Sequence, residues 1–323
     1  MKNQYEMSDW ISNKLKSNES FSCVRLGHTE HEMVNHVLRG ERIPDRWIQY
    51  TNTAGIFPHT QEFCRDQYYP KIDKSLENAD AIGQSGVSSK TFPPHFQEKY
   101  LSNKIGFVEC RFLDPAYLVD YEDPWTKYLK GKRVLVINSS ASSIEKQWEI
   151  IDDVWGDNRE KICPFDLVEV IRSPLPPNVC GGDIYYNDKK IEDWVQSSEM
   201  ICDMIDDVDF DIALVGAGAY APVLASHIKQ KNKSVITTCG ATQLFFGVKG
   251  KRWSKNNAKH CEVFNTDNSP PSTSIENKST FEIGTSFRRL FIGFDLTIYL
   301  SLSDQWWSFL YHSVISESIP PIA

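Results

Sequence analysis

The chain has 323 residues, 41% hydrophobic and 12% aromatic, with a formal net charge of -8. Such proportions exclude collagen-like, repetitive and disordered classes, and the acid excess excludes a surface built wholly around nucleic acid, which needs clustered Lys and Arg. The first ten residues have no apolar core behind a basic start, and no apolar run is long enough to cross a bilayer, so the sequence predicts a cytoplasmic protein without a transmembrane segment.

A helix is expected from about Ser8, followed by a short strand over Ser22–Leu26 that passes through Gly27 into a helix over Glu30–Leu38. The entry into that helix, Arg25-Leu-Gly-His28-Thr-Glu30-His31-Glu32-Met-Val-Asn-His36, holds HxE overlapping HExxxH. A zinc-protease helix requires HExxH; His31 and His36 are five apart and diverge by about 140° on a helix, so that chemistry is excluded. Taken one by one, the histidines read as surface positions.

Asn52-Thr-Ala-Gly55-Ile-Phe57-Pro58-His59 reads as a turn, Gln61–Ala81 as helical, and Gly83–Pro94 as a loop. From Lys132 to Phe246 strands and helices alternate, which predicts a single α/β domain with a mainly parallel sheet covered by helices on both faces. Its first strand runs into Ser139-Ser-Ala-Ser-Ser143, read as a helix cap, and Pro174–Gly182 is a second loop. Trp125, Trp148 and Trp194 read as core, whereas Trp253, beside a cationic loop, is a candidate stacking surface.

Asp209-Phe-Asp-Ile-Ala-Leu-Val-Gly216-Ala-Gly218-Ala-Tyr220-Ala221 is a strand breaking into a glycine turn before the helix-like Pro222–Ile228. Two glycines let the backbone turn sharply and approach a ligand, and the following helix start offers N–H groups to phosphate. This run satisfies GxGxxA, but the next strand, Ser234–Gly240, ends without the acid that grips a dinucleotide ribose, which weighs against an NAD enzyme. Between Ile212 and Cys261 there are eight bases and no acid, the asymmetry expected of an anion-binding surface. Within it, Gly240-Ala-Thr242-Gln243-Leu-Phe-Phe-Gly-Val-Lys249-Gly-Lys-Arg252-Trp253 interleaves glycines with cations. The eight cysteines lie far apart without a CxxC pair and read as reduced, mostly buried thiols.

Together these blocks resemble the GT-D type glycosyltransferases, and the resemblance spans roughly residues 20 to 253. It rests on Arg25–Glu30 as an RxGDxE-like start, on 52–58, on 129–137, on 209–220 and, most specifically, on 240–253. The resemblance implies a Rossmann-like domain over 1–261, with 262–323 as a C-terminal extension of unknown role. It also implies transfer of a sugar from a nucleoside diphosphate sugar to a glycan or other hydroxyl acceptor, as in polysaccharide biosynthesis. Glu30, His28 and Arg25 become the catalytic candidates, with Gly216, Gly218, Tyr220, Gly240, Thr242, Gln243, Lys249 and Arg252 for the donor. Where the family has the Asp of DxE this chain has His28, so only Glu30 carries over as a carboxylate. A divalent ion, manganese or magnesium, is expected on His28 and Glu30, imidazole suiting manganese better than magnesium. Arg25 can pair with a phosphate or neutralise Glu30, and Glu30, Glu109 and His59 are the available bases for an inverting reaction. Two other readings stay open: an NAD(P)-dependent oxidoreductase and a non-catalytic nucleotide- or glycan-binding protein. The transferase reading requires that the glycine and lysine loops converge with the His28–Glu30 pair around one pyrophosphate.

Overall fold

In the computed structural model, residues 1–84, 91–177 and 181–249 are described. Nine strands are found among them: β1 (Ser22–Leu26), β2 (Ala81–Gln84), β3 (Ile105–Phe107), β4 (Arg133–Asn138), β5 (Asp166–Ile171), β6 (Ile184–Tyr186), β7 (Lys189–Ile191), β8 (Ile212–Gly216) and β9 (Ser234–Thr237). Seven form one sheet in the order β3-β2-β1-β9-β8-β4-β5, and every pairing in it is parallel. β6 and β7 make a separate antiparallel hairpin.

The sheet is buried on both sides because its strands carry apolar side chains on both faces. Val24, Leu26, Leu135, Ile137, Ala213, Val215 and Val235 enter one core. Their alternates Cys23, Val134, Val136, Ile212, Leu214 and Ile236 enter the other. Period-two alternation thus divides each strand between two cores. Helix α2 (His28–Leu38) and the helix Ala221–Gln230 cover the first face through Met33, Val34, Leu224 and Ile228. Helix α1 (Gln4–Ser17), the helix Ala141–Trp148 and the 3-10 segment Cys239–Phe246 cover the second.

Local signals explain several boundaries. Asn3 starts α1 through a capping box with Glu6, and Asn18 ends it in the left-handed region (φ 54°). Asp193 caps the helix Trp194–Asp206 by accepting from the Gln196 N–H. Ser140 does not act as the expected side-chain cap: its N–H donates to Asn138 Oδ1, so a strand-end asparagine organises that turn. Two short strands depart from the expected pattern. β2 begins at Ala81, where the helical reading ended, and extends through Gly83 and Gln84 into what read as loop; β3 is only three residues long. Neither is long enough to show a period. Trp125 and Trp194 are fully buried and Trp148 stacks on Phe165, as the core reading expected.

Candidate active site

In a parallel sheet every strand points the same way, so the loops leaving the carboxyl ends of β1, β9, β8 and β4 share one edge. These loops leave to alternating faces: β1 feeds α2 on the first core, β9 feeds Cys239–Phe246 on the second, β8 returns to the first and β4 to the second. Neighbouring strands whose connections diverge open a crevice between them, the place where open α/β sheets bind ligands. Of the three neighbouring pairs that diverge along β1-β9-β8-β4, the β1–β9 pair is the switch point that carries Arg25. Arg25 N–H donates to Thr237 Oγ1 at 2.6 Å, and Cys239 Sγ donates to the Arg25 carbonyl at 3.5 Å. The early RxGHxE segment and the first part of the late glycine loop therefore meet.

Alternation puts Arg25 on the same face as Cys23. Its guanidinium lies between two thiols, Cys239 from the end of β9 and Cys110 from the turn after β3. Burial works against the charge, and the two sulfurs outweigh it, so Arg25 is held above its ordinary value. Its Nε is buried without an acceptor among the described residues. Glu30 is within electrostatic reach but forms no ion pair with it among the described residues. No spacing pattern marks these thiols as site residues, since Cys110 and Cys239 are 129 positions apart; the strand order unites them.

Glu30 is 6% exposed, turned back over the start of its own helix. A Cβ on Gly27 would lie 2.3 Å from Glu30 Oε2, so the missing side chain at Gly27 makes room for the carboxyl. Burial raises the Glu30 pKa above its ordinary value, opposed by its own backbone N–H and by Arg25. The Tyr68 hydroxyl is buried nearby without a partner, and its ionisation is pushed far up by burial and then by Glu30. His28, the first residue of α2, packs edge-on to Trp47 at 4.8 Å. Its Nδ1 is buried and unpartnered among the described residues, and burial holds the ring below its ordinary pKa. His31 differs from the surface reading: it is 3% exposed, against Phe92 and Phe96, while His36 faces Glu41.

The glycine turn after β8 is used largely by the protein itself. A Cβ at Gly216 would meet Thr242 Oγ1 at 2.3 Å, the Cys239 carbonyl at 2.5 Å and Asn138 Nδ2 at 2.6 Å. Gly218 has φ 53°, and a Cβ there would lie 2.5 Å from the Ala54 carbonyl at the end of helix α3 (Asp45–Ala54). These glycines let three loop backbones touch. Tyr220 is core: it stacks on Trp194 at 5.4 Å and its hydroxyl donates to Ser197. Thr242, fully buried, donates to the Cys239 carbonyl at 2.8 Å, and Gln243 Nε2 donates to the Val248 carbonyl at 3.0 Å. Thr242 and Gln243 therefore brace the loop, and Gly240 is partly exposed on it, as are Cys239 and Ala241. Glu109, beside Cys110, and His59 are exposed.

Three of the eight bases are tied up in ion pairs. Lys229 pairs with Asp80 at 2.6 Å, Lys231 with Asp206 at 2.7 Å and Lys233 with Asp209 at 3.7 Å. All three flank the starts of strands, at the edge opposite the crevice, because the turn into β9 carries them there. Lys249 is the last described residue; Lys251, Arg252, Trp253, Lys255 and Lys259 lie outside the described residues. The expected divalent site also fails a fit test. Glu30 is buried under Gly27, His28 is packed on Trp47, and among the described residues no three His, Cys, Asp or Glu side chains come together to hold an ion.

No helix among the described residues is long and apolar enough to cross a membrane. No protein-family profile matches the chain, and no curated protein does. Solved structures do resemble it. One, described as the highly conserved domain of unknown function 1792 with a distinct glycosyltransferase fold, is 14% identical, with 75% of this chain and 78% of that chain covered and a TM-score of 0.39. A selenomethionine-substituted domain of unknown function 1792 is 13% identical over 80% of this chain and 93% of its own, with a TM-score of 0.38. The third, described as a new glycosyltransferase of this group from Streptococcus sanguinis, is 11% identical over 72% of this chain and 80% of its own, with a TM-score of 0.35.

Proposed function

We propose that this protein is a glycosyltransferase that takes a sugar from a nucleoside diphosphate donor and passes it to a hydroxyl acceptor. The observation that carries the reading is Arg25: a guanidinium at the β1–β9 switch point, with, among the described residues, thiols rather than carboxylates as its immediate neighbours and a buried Nε lacking an acceptor. A half-buried guanidinium whose Nε is closed off from water without an acceptor among the described residues is unfavourable, and a diphosphate supplies the missing partner. Resemblance of the Arg25–Glu30, 209–220 and 240–253 blocks to GT-D type transferases supports the same assignment.

In this reading the donor's diphosphate lies across the crevice, with one phosphate on Arg25 and the loop at Gly240 alongside. As the glycosidic bond breaks, negative charge builds on the leaving diphosphate. A guanidinium fixed beforehand by β1 meets that charge without reorganising, the general source of electrostatic stabilisation in a water-poor site. Glu30, held under Gly27, balances Arg25 from a distance and so limits how tightly the ground-state donor is held. Glu109 or His59, both exposed, takes the acceptor proton. No step is assigned to a metal, since the residues present do not fit one.

A donor screen tests the reading: the full chain is incubated with UDP-, GDP- and ADP-sugars, and released nucleoside diphosphate is measured by mass spectrometry. The expected result is release from one donor class that falls at least about tenfold in Arg25→Met. Stabilisation by NAD alone, with no donor turned over, overturns it.

A further inference from the structure

Cys239 and Cys110 play no part in the sugar-transfer reading, yet both touch Arg25 at the floor of the crevice. Of the described thiols, Cys23, Cys64 and Cys163 are buried in the cores. Cys202, partly exposed, lies on the helix Trp194–Asp206, where burial and then Asp206, Asp203 and Glu199 push its thiol up to about 12. Cys110 is nearly enclosed: burial raises it although Arg25 pulls the other way. Cys239 combines partial exposure, a position on the crevice and a guanidinium neighbour. Reactive cysteines sit in such electropositive, partly open settings, because the thiolate is the nucleophile.

We propose that Cys239 is an oxidation site, a thiol that a hydroperoxide converts to a sulfenic acid, and that the product occupies Arg25 in place of the donor's diphosphate. This rests on the assignment of Arg25 as the diphosphate anchor. In the step itself, the Cys239 sulfur attacks one peroxide oxygen and the O–O bond breaks. The sulfur gains that oxygen and is oxidised. The other oxygen leaves as water, or as an alcohol from an alkyl hydroperoxide, carrying the thiol proton. Arg25 favours the reaction by stabilising the attacking thiolate and then the sulfenate oxygen. Cys110, beside the same guanidinium and within electrostatic reach of Cys239, is the thiol available to condense with the sulfenic acid and release water.

The test uses the intact full chain treated with a slight excess of hydrogen peroxide and dimedone, with peptide mapping by mass spectrometry and Cys202 as internal reference. Cys239 is expected to be labelled, or found joined to Cys110, about tenfold faster than Cys202 is labelled. Inorganic pyrophosphate is expected to slow Cys239 about tenfold without changing Cys202. Arg25→Gln is expected to bring Cys239 down to the Cys202 rate; Glu30→Gln, which keeps the guanidinium, is expected to retain the preference. A Cys239 that reacts no faster than Cys202, or at one rate with and without pyrophosphate, overturns the proposal. Sugar transfer is not read out, so a negative donor screen alongside a protected Cys239 removes the transferase reading alone, and the converse result removes this one alone.

Discussion

Glu30 Oε2 occupies the volume that a Cβ on Gly27 would need, 2.3 Å from its ideal position. The atom in the way is the far end of a flexible side chain, so Gly27→Ala is expected to displace the carboxyl rather than distort the backbone. Stability should fall by less than about 1 kcal/mol, while donor turnover falls as Glu30 leaves its place beside Arg25. Chemical denaturation and turnover on the same preparation check both halves.

Gly216 and Gly218 present the opposite case. Their Cβ atoms would strike fixed backbone, the Cys239 and Ala54 carbonyls at 2.5 Å each, and Gly218 has φ 53° besides. Gly216→Ala is expected to cost about 1–3 kcal/mol. Gly218→Ala should cost more, since the left-handed conformation adds about 1–2 kcal/mol for a residue with a side chain. Urea unfolding midpoints rank the three: Gly27→Ala mildest, Gly218→Ala most severe.

The buried Glu30 makes a pH prediction. Its folded pKa is raised, chiefly by burial, above the ordinary value of 4.5, so between those values the folded chain holds a proton that the unfolded chain has lost. Its contribution to stability is therefore fully present below 4.5 and is lost as pH rises through the folded value. Glu30→Gln removes that loss. The variant is expected to melt higher than the parent at pH 7 and to converge with it below pH 4.5. A difference that grows towards acid pH contradicts the assignment.

Much of this architecture was legible from local pattern. β1 was read at its observed bounds, and the switch from apolar strands to glycine turns and amphipathic helices located the crevice-forming half of the sheet. Three things were not. β2 and β3, at four and three residues, carry no periodicity and form because parallel neighbours accept them. The lysines at 229, 231 and 233 are close in sequence to the glycine loop, but one helix and one turn carry them to the other edge, where Asp80, Asp206 and Asp209 meet them. The thiols flanking Arg25 come from strands separated in sequence and near in the sheet, and no spacing rule registers that.

The paired lysines give the sharpest contrast with Arg25. Both are cations that a charge count assigns to anion binding, but the lysines are bridged to acids at the edge opposite the crevice, whereas Arg25 has no ion pair among the described residues. Pairs of this kind contribute about 0–1 kcal/mol each. Replacing Lys229, Lys231 and Lys233 together by glutamine should therefore lower the melting temperature slightly and leave the rise produced by pyrophosphate intact. Arg25→Met should do the reverse, weakening pyrophosphate about 10- to 100-fold, as expected for losing a charge-assisted contact in a dry site. Thermal melts over a pyrophosphate titration compare the two directly. If the triple lysine variant loses the rise and Arg25→Met keeps it, the anion binds at the other edge of the sheet and the crevice assignment is wrong.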